Sequence, residues 1–256
     1  MDNRPIGVYD SGFGGLSVWR ELYRALPEES LIYLGDGKNC PYGSLSEERI
    51  RELAEKAVGE LIERGCKMVV VACNTATAAA INHLREKFSF LPIVGLEPAV
   101  KPACQLSRSG RVAVLATERS LQSEKLRMAV ERYATDVEVI KAVGRGFVEA
   151  VEQCEEQSEA TEKMVSEVVE PLIEQGADVI VLGCTHYPFL KGVLRRVVGS
   201  RDVRIIDSGE AVEKRVESLL DRYSLRADEE NEAKYEFLTY ADEEYRERLR
   251  RKAFDK

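Results

Sequence analysis

The sequence predicts an α/β protein built from two similar parallel-sheet α/β domains, which can pack about a pseudo-two-fold axis. Two observations predict it. Short β-branched runs alternate with longer stretches of helical periodicity, the order that produces parallel sheets covered by helices. In addition, LIERGCKMVVVAC (residues 61–73) aligns without a gap on LIEQGADVIVLGC (residues 172–184), an offset of 111 residues.

Taken in order, strands are expected at residues 6–9, 31–34, 68–72, 112–115, 137–140, 179–182 and 203–206, nearly every one followed by a helix. Ser44, with Glu47 at capping-box spacing, marks the start of the amphipathic stretch 46–64. Gly65 and Gly176 close helices just before strands, where a left-handed residue is favoured. Two weaker self-similarities extend the repeat: LPIVGLEPAV (91–100) on VRIIDSGEAV (203–212), and PIGVYDSG near the start on RVAVLATE (111–118).

Composition narrows the function. Of 256 residues, 44% are hydrophobic and 32% charged, the balance of a folded globular chain. A net charge of -8 without clustered Lys, Arg and aromatics argues against nucleic acid as a partner. The apolar runs are too short to span a bilayer, and the start MDNRP lacks the basic-then-apolar order of a signal peptide, so no membrane association and a cytoplasmic location are expected. Six scattered cysteines then read as reduced thiols.

The repeat places Cys73 and Cys184 at equivalent positions, each at the carboxyl end of a buried strand, where open α/β sheets bind ligands. With those edges facing, the thiols would flank one bound molecule. Inverting a carbon stereocentre by proton transfer needs a base on one face and an acid on the other. Cysteine suits both roles because its ordinary pKa of about 8.5 can be lowered by a helix amino terminus or a cation, and Asn74-Thr75-Ala76 and Thr185-His186-Tyr187 supply such openings behind the two thiols. A single thiol at a strand end is more often a small buried hydrophobe, and the matched pair is what favours chemistry. Cys66 and Cys104 read as interior packing, Cys154 as a helix residue and Cys40 as a loop residue.

Polar groups surround these positions. The turn Asp10-Ser11-Gly12-Phe13-Gly14-Gly15 enters a helix and offers N–H groups to an anion, although Ser17 stands where a dinucleotide fingerprint needs its third glycine. Asp10 suits either a substrate ammonium or a turn and cap. His186, two residues beyond Cys184, is placed to relay a proton, whereas His83 reads as a surface or packing residue. Cys184 and His186 are too few and too close for a zinc site, so no metal is expected. Neither a phosphate-binding loop nor a recognisable pyridoxal lysine is visible, so no cofactor is expected.

GVYDSGFGGLSV, NCPYGSLSEERI, VVVACNTATA, PIVGLEPAVKPA, VLATERS, VLGCTHYPFL and IIDSGEAV, in this order, resemble the glutamate racemase family of bacterial cell-wall synthesis. The resemblance implies cofactor-independent racemisation of glutamate, with Cys73 and Cys184 exchanging the roles of base and acid, and D-glutamate supplied for peptidoglycan. It implies that Asp10, Ser11, Tyr42, Gly43, Asn74, Thr75, Thr185 and His186 surround the substrate, with Asp10 and His186 also assisting the thiols. A supporting family glutamate would fall on Glu152. The chain departs from many members at Val143-Gly144-Arg145-Gly146, where they carry a Cys-Pro pair, and at Asp36-Gly37-Lys38-Asn39-Cys40. The resemblance further implies an active site in the cleft between the two domains, a homodimer, and a first domain of residues 1–98 plus 208–256, with residues 99–207 forming the second. Two rivals remain: a racemase for aspartate or another small amino acid, and a two-lobed protein that binds an amino acid without catalysis.

Overall fold

The computed structural model describes residues 1–255. In chain order the elements are β1 (Ile6–Asp10), α1 (Leu16–Ala25), β2 (Leu31–Gly35), α2 (Glu47–Glu63), β3 (Met68–Val71), α3 (Asn74–Lys87), β4 (Ile93–Gly95), α4 (Val100–Leu106), β5 (Arg111–Ala116), α5 (Glu118–Gln122), α6 (Glu124–Tyr133), β6 (Glu138–Val143), α7 (Phe147–Glu152), α8 (Glu159–Glu174), β7 (Val179–Leu182), α9 (Lys191–Val198), β8 (Arg204–Ile206), α10 (Gly209–Tyr223), β9 (Tyr235–Thr239) and α11 (Glu243–Phe254). Short 3-10 turns, Tyr42–Ser44 and Tyr187–Leu190, precede α2 and α9.

The chain divides into two compact units, Met1–Leu96 with Gly209–Lys256, and Glu97–Ser208. The first holds a parallel sheet in the order β4-β3-β1-β2-β9 and the second a parallel sheet in the order β6-β5-β7-β8. Without β9, the two orders are the same once β5 is matched to β1, β6 to β2, β7 to β3 and β8 to β4. The sequence repeat is therefore a repeat of topology.

Burial on both faces explains the β-branched runs, since strands covered on each side need no polar alternation. Tyr9, Ile32, Leu34, Val69, Val71 and Ile93 pack with Ala54, Val58, Ala76 and Leu84 of α2 and α3. Their strand neighbours Val8, Tyr33 and Val70 are equally buried and point to the opposite face. In the second unit Val112, Val114, Val179 and Val181 pack with Val100 of α4 and Leu126 of α6.

The repeat extends to helix termini. Gly65, at φ +79°, follows α2, and its N–H donates to Ile62 while that of Cys66 donates to Leu61. Gly176, at φ +89°, follows α8, with Gly176 donating to Ile173 and Ala177 to Leu172. Both are Schellman caps, which need a residue tolerant of positive φ and thus explain the glycine in each copy.

Three local expectations change. The cap of α2 is Ser46, whose side chain accepts from the Arg49 N–H, because Ser44 closes the preceding 3-10 turn. Cys154 lies in the turn after α7, exposed and at φ +59°, rather than in a helix. Cys104 is half-buried rather than interior. Two strands add to the expected ones: β4 has three residues, and only the match of 91–94 on 203–206 points to it, while β9 lies in a strongly charged segment without clear periodicity.

Candidate active site

In each sheet the chain winds outward in both directions from a central pair, β1 and β3 in one and β5 and β7 in the other. Ligand sites of open parallel sheets lie at the carboxyl ends of such a switch point. Asp10 ends β1 and Cys73 follows β3 by two residues; Thr117 follows β5 and Cys184 follows β7 by two residues.

In the first unit, Cys73 is the N-cap of α3, with extended backbone and a sulfur that accepts from the Ala76 N–H at 3.4 Å. Such a donor, at the positive end of a fourteen-residue helix, favours a thiolate. The Ser11 hydroxyl oxygen lies 3.6 Å from the same sulfur. Asp10 is fully buried and its Oδ1 accepts from the Gly12 N–H at 2.8 Å, which fixes the turn, so the cap-like role is real whatever else Asp10 does. A Cβ on Gly15 would meet Asp10 Cβ at 2.5 Å, which explains why this turn ends in glycine. Asn74 and Thr75 open α3 beside the thiol.

Tyr42 starts its 3-10 turn with the side chain pointing inward, where its hydroxyl donates to Asp36 Oδ2 at 2.7 Å and lies 2.7 Å from the Tyr9 hydroxyl. Burial, together with Tyr9 and Asp36, pushes its phenol far above the ordinary range and keeps the proton in place. Asn39 Nδ2 donates to both Asp36 oxygens at 2.9 Å. The side chain of Tyr42 thus braces the loop, leaving the turn's first N–H groups, at Tyr42 and Gly43, as those a short helix cannot satisfy internally.

In the second unit, Cys184 faces the His186 Nδ1 at 3.8 Å, and the His186 Nε2 lies 2.6 Å from Glu152 Oε1. A carboxylate only accepts, so Nε2 carries the proton and Nδ1 is left to accept from the thiol. His186 and Thr185 are buried, and Tyr187 beside them donates its hydroxyl to the Gly144 carbonyl at 3.2 Å. Burial and the neighbouring Cys184 hold the Tyr187 phenol well above its usual range. Contrary to expectation, no α-helix opens directly behind Cys184. Pro188 and the 3-10 turn intervene before α9 starts at Lys191, so an imidazole occupies the role that a helix terminus has at Cys73.

The family model for Asp/Glu/hydantoin racemases matches residues 7–215, which include both cysteines and every candidate residue named above. The chain belongs to the Asp/Glu/hydantoin racemase family. This racemase, an isomerase, is 45% identical over 242 residues to a glutamate racemase of Herpetosiphon aurantiacus, covering 94% of each chain. It is 47% identical to a glutamate racemase of Deinococcus radiodurans, covering 93% of this chain and 82% of that one. Among solved structures, it matches Escherichia coli glutamate racemase in complex with L-glutamate and the activator UDP-MurNAc-Ala at TM-score 0.85 and 33% identity, over 96% of this chain and 92% of that one. A Francisella tularensis glutamate racemase in complex with D-glutamate matches at TM-score 0.83 and 28% identity, over 97% and 92%.

One residue at the switch point of this racemase was not singled out from sequence. Thr117 caps α5, accepting from the Ser120 N–H at 3.3 Å, and stands in the second sheet where Ser11 stands in the first. The alignment of PIGVYDSG on RVAVLATE already pairs Ser11 with Thr117. It also pairs Asp10 with Ala116, so the copies differ: the first unit carries a buried carboxylate at the end of β1, and the second carries His186 and Glu152 near its thiol instead.

Proposed function

We propose that the protein is a glutamate racemase that interconverts L- and D-glutamate by passing the Cα proton through two thiols. One cysteine, as thiolate, removes the proton while the electron pair of the breaking C–H bond spreads into the adjacent carboxylate. The other, as thiol, donates its proton to the opposite face of Cα. The product is the other enantiomer, and the two sulfurs have exchanged protonation states.

The observation that carries this proposal is the pairing of each thiol with its own activating group at its own switch point. Cys73 has the helix N-cap with Ser11, and Cys184 has the His186–Glu152 pair. Inert core cysteines need neither. Asp10, Ser11, Asn74, Thr75 and Thr185, with the backbone of Tyr42 and Gly43, are assigned to the ammonium and carboxylates, and Thr117 joins them through its hydroxyl. Glutamate is favoured as the substrate because the relatives at 45% and 47% identity carry that name and the two similar solved structures hold its enantiomers.

D-glutamate made this way would enter peptidoglycan, the enzyme working as a cytoplasmic homodimer without metal or organic cofactor. No helix among the described residues is long and apolar enough to cross a membrane. The test is chiral chromatography of L-glutamate and L-aspartate incubated separately with the purified, reduced protein. D-glutamate alone supports the proposal; D-aspartate as the faster product overturns the substrate assignment, and no inversion of either acid favours a binding protein.

A further inference from the structure

Helix α11 lies beyond the residues matched by the family model, yet its first turn bears on the catalytic edge of the first sheet. The Asp242 side chain accepts from the Tyr245 N–H at 2.9 Å and fixes where the helix starts. The Tyr245 ring then stacks on Phe13, with centroids 4.7 Å apart and planes at 27°. Phe13 is fully buried in the turn whose Ser11 hydroxyl approaches Cys73. The Arg248 guanidinium lies 5.0 Å from the centre of the Phe13 ring and the Lys252 ammonium 5.8 Å away, holding that ring from the same helix.

The Tyr245 ring also fills the space beside Gly37. A Cβ at that position would lie 2.4 Å from two ring atoms, closer than any side chain tolerates. Gly37 follows Asp36, the carboxylate that anchors Asn39 and Tyr42. One ring therefore bears on two loops, one beside the Cys73 thiol and one carrying the Tyr42–Gly43 turn.

We propose that Tyr245 is a positioning residue for the Cys73 half of the reaction, wedged between Phe13 and Gly37 so that both loops keep the geometry proton transfer requires. This rests on the racemase chemistry above. Small displacements of a reacting group are costly, with losses up to about a hundredfold for roughly 1 Å.

The test uses Tyr245→Ala, Tyr245→Phe, Gly37→Ala and the Tyr245→Ala/Gly37→Ala double variant of the full chain. Each is measured for kcat and KM with glutamate, and for the iodoacetamide labelling rates of Cys73 and Cys184 by peptide mass spectrometry. Tyr245→Ala is expected to lower kcat/KM by about tenfold or more and to raise the Cys73 to Cys184 labelling ratio, because the turn covering Cys73 is released. Tyr245→Phe, which keeps the ring, should restore both. Gly37→Ala displaces the ring from the other side and should reproduce the loss, adding nothing once Tyr245 is alanine; it also serves as the test if Tyr245→Ala does not fold. An unchanged labelling ratio, additive losses, or failure of Tyr245→Phe to restore activity overturns the proposal. A wild-type protein inert toward glutamate instead overturns the functional proposal, and the labelling ratio then decides on Tyr245 alone.

Discussion

Replacing Glu152 by glutamine tests how the second thiol is activated. Glu152 Oε1 lies 2.6 Å from His186 Nε2, and the two side chains are 17% and 3% exposed, so water screens little of their interaction. The amide keeps an oxygen that can accept from Nε2–H, preserving shape while removing charge. A charge-assisted hydrogen bond contributes about 1.5–3 kcal/mol and a neutral one about 0.5–1.5 kcal/mol, so the difference of about 1–1.5 kcal/mol converts to a roughly 5- to 13-fold loss of kcat. Because the enantiomers have equal free energy, kcat/KM must remain equal in the two directions for every variant, and the asymmetry has to be read from isotope effects. Where Cys184 is the base, the effect of deuterium at Cα should grow; in the opposite direction, where Cys184 delivers the proton, the solvent isotope effect should grow instead. A loss below about threefold, under 1 kcal/mol, or isotope effects that grow alike in both directions, would refute the assignment.

Two stability predictions follow from buried and bonded charges away from the site. Burial pushes the Asp178 carboxyl up, but the Ser107 hydroxyl and the Arg108 and Ser109 N–H groups outweigh it and hold the pKa at about 2. A folded value below the unfolded one gives stability that is complete above about pH 5 and disappears as pH falls through 4 towards 2. Discounted for partial exposure, Asp178→Asn should cost about 1–2 kcal/mol at pH 7, with the gap from wild type narrowing in urea melts at pH 4 and below; a gap constant with pH would contradict this. The Lys67–Glu29 pair is 2.6 Å long with side chains 0% and 3% exposed, and Glu29 also accepts from the Ala227 N–H. Lys67→Met should therefore cost about 3–5 kcal/mol by stranding a buried carboxylate, and adding Glu29→Gln should recover part of it; a loss under 1 kcal/mol by urea denaturation would show that the pair does not matter.

The parts of this fold legible in sequence are those where one local requirement admits few residues. A Schellman cap needs a residue that accepts positive φ, so Gly65 and Gly176 marked two helix ends, and the buried strands behind them had to be β-branched. Cys73 and Cys184 stood out because the same unit occurs twice. What sequence spacing could not supply is contact between distant segments. Glu152 and His186 are 34 residues apart and meet only because α7 packs beside the 3-10 turn at Tyr187. Tyr245 reaches Phe13 across the whole chain, from a helix so charged that its inward residues are hard to pick out. The asymmetry of the two thiols rests on a local difference that no spacing rule marks: a 3-10 turn follows Cys184, whereas α3 starts at once at Asn74. Thr117, by contrast, was readable from the repeat.

The most direct test of two-thiol racemisation is proton NMR with chiral analysis of L-glutamate incubated in deuterated water with the wild-type protein and with Cys73→Ala and Cys184→Ala, no cofactor added. The predicted result is D-glutamate carrying deuterium at Cα from the wild type and no inversion by either variant. D-glutamate that retains its original proton throughout turnover, or substantial inversion by either cysteine variant, would contradict it.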